Sequence, residues 1–173
     1  CSTDLYLVEF PKSGITWLSV LLSNYFCLLS HENRKINYSS INFVVSDLSK
    51  RTRESSHYFK VPGVRLYKSH DRHNRRYANV VYLIRDPKEV MRSYYKYCQE
   101  KSIFDGDIEK FVTHKYFGVH AWKTHVSSWL ENNYLGQRLV LLNYDLMLQD
   151  PAYALRTINQ FTGIVDDHPM LDN

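Results

Sequence analysis

Short apolar runs alternate along this chain with longer segments of helical periodicity, and this order constrains the fold more than any other feature. The run at 80–84 (VVYLI) is almost entirely apolar, which is typical of a parallel strand covered on both faces. Asp86 and Pro87 follow it, and this pair favours the N-cap and the first position of a helix. Strands that alternate with helices predict an α/β fold, a three-layer sandwich with a central parallel sheet.

The same patterns place the other elements. We expect strands over residues 5–10, 64–68, 80–84 and 138–142. We expect helices over 17–29, 87–99, 107–117, 119–132 and 151–161, and irregular polar chain between 30 and 60. Ligands of open parallel sheets bind beyond the carboxyl ends of the strands. We therefore expect the loops that begin at Pro11, Lys68, Arg85 and Tyr144 to lie at one edge of the sheet.

Length and composition limit the class of protein. The 173 residues, 44% hydrophobic and 23% charged, suit a single domain over residues 1–173. A net charge of +4 favours anionic ligands but is too small and dispersed for a nucleic-acid groove. The cysteines (Cys1, Cys27 and Cys98) are odd in number and form no C-x-x-C pair, which argues against a disulfide framework and for a reducing, cytoplasmic location. No stretch reaches the roughly 20 apolar residues of a membrane span.

The segment from Phe10 to Trp17 (FPKSGITW) joins the first predicted strand to the first helix in a P-loop-like strand–loop–helix. Backbone N–H groups at such a turn, together with the positive end of the helix dipole, form an anion cradle. Lys12 adds a charge, Ser13 and Thr16 add hydroxyl donors, and Gly14 allows close approach of the backbone. The alternative interpretation is an ordinary strand–helix turn with a solvated lysine, because such a turn has the same spacing. The G-x-x-x-x-G-K-[ST] signature is absent, which argues against a nucleoside triphosphate.

Two segments carry a family resemblance. Residues 11–17 (PKSGITW) resemble the P-K-S-G-T-T-W loop of sulfotransferases that use 3′-phosphoadenosine 5′-phosphosulfate (PAPS). Ile15 replaces the common Thr but still offers its backbone N–H. Residues 85–95 (RDPKEVMRSYY) resemble the family's R-[ND]-P-x-[DE]-V-x-x-S-Y-Y segment. The resemblance implies that Arg85 and Ser93 hold the 3′-phosphate of the nucleotide, and a planar guanidinium with a hydroxyl suits that group.

A third segment, Lys68-Ser69-His70, is similar to the family's K-[TS]-H at a strand end. The resemblance implies that His70 takes a proton from the acceptor hydroxyl. It also implies that Lys12 and Lys68 stabilise charge on the transferring group. A neutral imidazole is a suitable base near pH 7. The predicted catalytic residues are therefore His70, Lys12 and Lys68.

Two further segments give supporting matches. Residues 143–151 (NYDLMLQDP) resemble the family's Y-E-D-L-x-x-[DN]-P region, which implies that Tyr144 contacts the adenine side while Trp17 stacks on the base. Trp17 suits the core of the first helix equally well. Residues 122–129 (WKTHVSSW) resemble a W-x-x-H-V-x-x-W helix near the acceptor pocket, which makes His125 a candidate substrate residue, although aromatics at this spacing are more often core.

The resemblance as a whole implies transfer of a sulfuryl group from PAPS to an acceptor hydroxyl, without a metal. Ser13, Gly14, Ile15 and Thr16 would cradle the 5′-phosphate. The polar mixture at 30–60 and 100–120 favours a carbohydrate or other polar small molecule as acceptor. No match to the family's C-terminal segment R-[KR]-G-x-x-G-x-W-[KR] occurs, so we expect a domain without that nucleotide-closing element. Two other functions stay open. The first is a P-loop kinase that acts on a nucleotide or metabolite, and the second is a nucleotide-binding module without catalytic activity.

Overall fold

One sheet with helices on both faces organises the computed structural model, which describes residues 4–50, 57–60, 62–132 and 135–164. The strands are β1 (Asp4–Glu9), β2 (Ser46–Asp47), β3 (Tyr58–Phe59), β4 (Val64–Ser69), β5 (Asn79–Ile84) and β6 (Arg138–Asn143). The helices are α1 (Ile15–Leu29), α2 (Pro87–Glu100), α3 (Ile108–Thr113), α4 (Val119–Leu130), α5 (Tyr144–Gln149) and α6 (Pro151–Thr162), with a 3₁₀ turn at Ile41–Phe43.

The sheet has the strand order β2-β4-β1-β5-β6, and every pair along this path is parallel. The short β3 lies off this path and pairs antiparallel with β4. In the register, Val8 of β1 lies opposite Ser69 on one side and Tyr82 on the other. Ile84 of β5 lies opposite Asn143 of β6. The carboxyl ends of these strands are therefore aligned at one edge, as the sequence predicted.

Alternate residues of the strands bury their side chains on opposite faces, as the pleat requires. Leu5 and Leu7 of β1 belong to the larger hydrophobic cluster, which α1, α5 and α6 cover. Val8 belongs to a second cluster with Val126 and Trp129 of α4. Helices therefore pack on both faces, and the predicted three-layer α/β sandwich with a parallel sheet is confirmed.

The structure differs from the sequence prediction at the third predicted helix, 107–117. Helix α3 ends at Thr113, and His114 is extended. The chain then turns back, which stacks the ring of Phe117 on that of Phe111 with centroids 5.7 Å apart. Gly118 permits this turn, because a Cβ there would lie 2.2 Å from the carbonyl oxygen of Val112.

The region after β6 also differs, because Tyr144 begins a helix and not a loop. The side-chain oxygen of Asn143 accepts hydrogen bonds from the N–H groups of Asp145 and Leu146, so it caps α5. The predicted strand 64–68 extends to Ser69, which places Lys68 inside β4. Over the described ranges, no helix has both the length and the apolar character needed to cross a membrane.

Candidate active site

A cavity of about 640 Å³ opens at the carboxyl edge of the sheet, where β1, β2, β4, β5 and β6 end. It is lined by most of the predicted site residues: Lys12, Gly14, Ile15, Thr16, Trp17, Lys68, His70, Arg85, Ser93 and Tyr144. The remaining lining residues are Glu9, Pro11, Tyr38, Asp47, Ser49, Lys50, Tyr94 and Tyr97. Segments that are distant in the sequence thus meet in one cavity. Ser13 and His125 are the predicted site residues outside this lining.

The loop between β1 and α1 makes a tight turn in which two residues have positive φ angles. Lys12 has φ 77° and Gly14 has φ 111°, so both adopt left-handed conformations. Ser13 is buried, and its hydroxyl donates to the carbonyl of Phe10 at 2.9 Å. This hydroxyl therefore stabilises the turn from inside and does not face the cavity, in contrast to the sequence-based expectation of a phosphate donor.

Gly14 lies directly beneath the ring of Tyr144. A Cβ at position 14 would be 2.2 Å from two carbons of that ring, so no larger residue fits without moving it. The guanidinium of Arg85 lies over the same ring, 4.5 Å from its centroid. Arg85 also donates from Nη1 to the carbonyl of Lys12 at 3.2 Å. Tyr144 and Arg85 thus fix the conformation of the loop from the side of β5 and β6.

Arg85, between β5 and α2, and Ser93, in the second turn of α2, both line the cavity. Asp86 caps this helix by accepting hydrogen bonds from the N–H groups of Lys88 and Glu89, with Pro87 at the first position. The Nε of Arg85 is buried and has no hydrogen-bond partner among the described residues. A buried donor of this kind is costly unless a ligand satisfies it.

The two lysines of the site have different partners. Nζ of Lys68 lies 3.3 Å from Oδ2 of Asp47, and both side chains are largely buried. Burial disfavours ionisation of Asp47, but the hydrogen bond from Ser49 and the charge of Lys68 outweigh it and hold the pKa of Asp47 below its ordinary value. Nζ of Lys12 lies 4.7 Å above the ring of Tyr97.

His70 follows β4 and faces the cavity with part of its ring exposed. Its Nδ1 lies 3.4 Å from the backbone carbonyl of Glu9. A carbonyl can only accept, so this contact requires the proton on Nδ1 and leaves Nε2 free to accept another. Burial lowers the pKa of His70, although the Glu9 carbonyl opposes this effect. A neutral His70 at pH 7 can act as a base.

His125 lies behind His70 and not on the open side of the cavity. It is 3% exposed, and its Nε2 donates to the carbonyl of His70 at 3.1 Å. Its Nδ1 accepts from the hydroxyl of Tyr82 at 2.9 Å. Burial lowers the pKa of His125 to about 4, which keeps the ring neutral. The structure thus gives His125 contacts with the backbone of the predicted base.

Trp129 also supports the segment that contains His70, because its Nε1 donates to the carbonyl of Asp71 at 3.0 Å.

Trp17 lies in both of the environments that the sequence suggested for it, the nucleotide site and the core. It lines the cavity and also packs against the larger hydrophobic cluster.

Sequence reasoning missed several residues of this cavity, most importantly Glu9 and Asp47. Glu9 is a carboxylic acid within the otherwise apolar run 5–10, and this contrast was the available signal. Asp47 lies on β2, a two-residue strand in a region predicted to be irregular, where no periodicity marks it.

The chain is similar in sequence to known sulfotransferases. The family model described as the sulfotransferase domain matches residues 2–172. Sulfotransferase 1 family member D1 of Mus musculus is 26% identical over 91% of this chain and 58% of its own length. The flavonol 3-sulfotransferase of Flaveria bidentis is 24% identical over 92% of this chain and 56% of its own length. The chain therefore spans less than two thirds of the length of these relatives.

Solved structures share its fold. Mouse sulfotransferase SULT7A1, complexed with PAP, has a TM-score of 0.60 and 21% identity over 95% of this chain and 60% of its own. Retinol dehydratase, in a complex with retinol and PAP, has a TM-score of 0.64 and 14% identity over 98% of this chain and 62% of its own. The match of the family model to nearly the whole sequence shows that the chain belongs to the sulfotransferase domain family.

Proposed function

We propose that this chain catalyses transfer of a sulfuryl group from PAPS to a hydroxyl of an acceptor. One observation carries the proposal: the cationic and hydroxyl side chains that the family resemblance marks all line one cavity. They are Lys12, Lys68, His70, Arg85 and Ser93, in a chain that belongs to this family. Two relatives of known structure, named above, were solved with PAP, the nucleotide that remains when PAPS gives up its sulfuryl group.

The residues present suit this nucleotide. A volume of about 640 Å³ is in the range of small-molecule sites. The buried Nε of Arg85 needs an acceptor, which a 3′-phosphate with Ser93 beside it would supply. The loop backbone at Gly14 and Thr16, at the first turn of α1, suits the 5′-phosphate, while the N–H of Ile15 donates to Oε2 of Glu9 at 2.7 Å. Trp17 lines the cavity with a ring that suits stacking on the adenine, while the ring of Tyr144, which also lines the cavity, is packed against Gly14 and Arg85.

The proposed chemistry assigns a role to each of these side chains. PAPS, when bound, supplies the activated sulfuryl group. His70 accepts the proton of the acceptor hydroxyl at Nε2 as the new oxygen–sulfur bond forms and the bond from sulfur to the 5′-phosphate oxygen breaks. Lys12 and Lys68 stabilise the negative charge that develops on the bridging oxygen and the sulfuryl oxygens. The nucleotide-binding residues hold the donor in the position and orientation that the transfer requires.

The acceptor side of the cavity supports a polar hydroxyl compound, such as a carbohydrate. Tyr38, Asp47, Ser49 and Lys50 also line the cavity. Asp47 is paired with Lys68 and Ser49, while the hydroxyl of Tyr38 and the ammonium of Lys50 suit a ligand with several hydroxyls. Retinol dehydratase was solved with retinol and with androsterone, which are apolar alcohols, so both polar and apolar acceptors belong in an acceptor screen. The cytoplasmic location stays a prediction; Cys27 and Cys98 are free, buried thiols.

Nucleotide titration and a turnover assay test the proposal. Calorimetry should show binding of PAP in clear preference to ATP with magnesium, and the reverse order would favour a kinase. Radiolabelled PAPS should then label an acceptor from a panel of a monosaccharide, a phenol, a steroid alcohol and retinol. Nucleotide binding without transfer to any class of acceptor would favour a non-catalytic module.

The variant His70→Ala tests the base. Turnover should fall by about 100-fold or more, the usual contribution of a general base, while PAP affinity stays within a few-fold. His120→Ala is the matched control, because that histidine is exposed on α4 and does not line the cavity. Near-normal turnover in His70→Ala would show that the base has been assigned wrongly.

A further inference from the structure

Glu9 is the one carboxylic acid in the described ranges that is almost completely buried. It is the last residue of β1, immediately before the turn that leads to α1, and only 2% of it is exposed. Nothing in the proposed chemistry uses it. A buried carboxyl is costly unless its oxygens have partners, so its position needs a physical reason.

The carboxyl of Glu9 has partners on two sides. Its Oε2 accepts a hydrogen bond of 2.7 Å from the N–H of Ile15, the first residue of α1. The backbone N–H groups of Lys12 and Ser13 lie close enough to favour its ionised form, but the Ser13 N–H makes its hydrogen bond to the carbonyl of Phe10 at 3.2 Å. The carboxyl therefore lies against the backbone of the loop that we propose binds the 5′-phosphate, and it occupies the N–H of Ile15.

The second side of Glu9 faces the predicted base. Oε1 lies 3.9 Å from Nδ1 of His70, and the backbone carbonyl of Glu9 lies 3.4 Å from the same nitrogen. Both contacts are on the edge of the ring opposite Nε2. One residue thus contacts the first turn of α1 with one oxygen and the inner edge of the base with the other.

We infer that Glu9 is a positioning residue for sulfuryl transfer, whose carboxyl fixes the amides of the donor loop relative to the ring of His70. The inference rests on the proposed function. In this role the carboxyl acts in its neutral form, which adds no negative charge beside the 5′-phosphate. Ionisation would add a charge in the cradle and weaken donor binding.

The surroundings of Glu9 support the neutral form near pH 7. Burial raises the pKa of Glu9 to about 8, although the N–H of Ile15 and the charge of Lys12 work in the opposite direction. The ionisable groups that face it are Lys12 from the loop, His70 immediately after β4, and Tyr82 from β5. Burial also raises the pKa of Tyr82, so below pH 9 this phenol stays neutral.

Two variants test the role of Glu9. Glu9→Gln keeps the shape and an acceptor for the Ile15 N–H but cannot ionise. Glu9→Ala removes both contacts. We expect PAP affinity of the wild-type chain to fall by about tenfold between pH 7 and 9, because one added anion in a partly screened site has at least this effect. Glu9→Gln should show a flat profile over the same range.

Turnover gives the second readout, with the acceptor that the screen identifies. At pH 7, Glu9→Ala should lower kcat by about tenfold or more, because a base displaced by a fraction of an ångström loses its alignment. Glu9→Gln should restore kcat to within a few-fold of the wild type. A purely structural role would give neither the rescue nor the altered pH profile of binding.

A control and the contrary outcomes complete the test. Glu32→Gln changes another partly buried Glu–His pair, in which Glu32 lies 2.9 Å from His57 and outside the cavity, so it should behave as wild type. If wild type and Glu9→Gln bind PAP with the same pH profile, or if Glu9→Ala keeps full kcat, the inference about Glu9 is wrong while the proposed function stands. If the wild-type chain binds no PAP at any pH, the proposed function itself fails.

Discussion

The contact between Gly14 and Tyr144 allows a quantitative test of the loop geometry. An alanine at position 14 would adopt φ 111°, which costs about 1–2 kcal/mol for a residue with a Cβ. Its Cβ would also lie 2.2 Å from two ring carbons of Tyr144. The ring cannot move freely, because Arg85 lies over it and it packs against the larger hydrophobic cluster. Forcing it aside adds about 1–3 kcal/mol, as for other overpacked sites.

Urea unfolding should therefore show that Gly14→Ala loses about 2–5 kcal/mol, the sum of the strain and the collision. Gly163→Ala is the matched control. That glycine has φ 76°, and a Cβ there would meet nothing within 4 Å, so only the strain applies. The difference between the free energies of unfolding that the two variants lose therefore measures the steric clash with Tyr144 alone.

The double variant Gly14→Ala/Tyr144→Ala separates the two effects further. Removing the ring relieves the collision but not the strain, so the loss should be smaller than the sum of the single variants by about 1–3 kcal/mol. Additive losses, or a Gly14→Ala no worse than Gly163→Ala, would refute the packing of Tyr144 on the loop. PAP affinity should fall with stability in Gly14→Ala, because the displaced ring faces the cavity.

The remaining predictions concern the support of the base and the Lys68 ion pair. Tyr82→Phe leaves Nδ1 of His125 without its donor, so the free energy of unfolding should fall by about 1–3 kcal/mol in urea titrations, and an unchanged value would contradict the hydrogen bond. Asp47→Asn should destabilise the chain at pH 7 by a similar amount, about 1–3 kcal/mol, because the charge of Lys68 loses its partner. Since the pKa of Asp47 is lowered from 3.8, this difference should persist above about pH 4 and vanish as the pH falls below that value; a constant difference down to pH 2 would refute the assignment.

The sheet was predictable because its signal is local and strong. The all-apolar run that became β5 and the Asp86–Pro87 pair each specify an element without knowledge of the rest of the chain. The sharp turn at Gly14 was likewise predictable from its local sequence. Short elements lack such signals. The two residues of β2 become a strand only because β4 lies beside them, and periodicity cannot reveal a contact of that kind.

The site was predictable in its residue types but less so in the direction of its side chains. The sequence places Ser13 and His125 near the donor and the acceptor. In the structure, the hydroxyl of Ser13 turns inward to Phe10, and His125 lies beneath the backbone of His70. Which way a polar side chain points depends on the donors and acceptors that tertiary packing brings near it, and these come from strands far away in the sequence.

The central position of β1 has a consequence for how the chain folds. Asp4 pairs with Arg65 and Leu5 with Asn79, so the first strand has no partner until more than sixty residues have been organised. Closing such long loops costs entropy before any contact compensates for it, which makes parallel sheets of this kind slow to form. The cavity exists only once these distant strands are aligned. Partly folded chains therefore lack it, and nucleotide retention by refolding chains would report completion of the whole sheet.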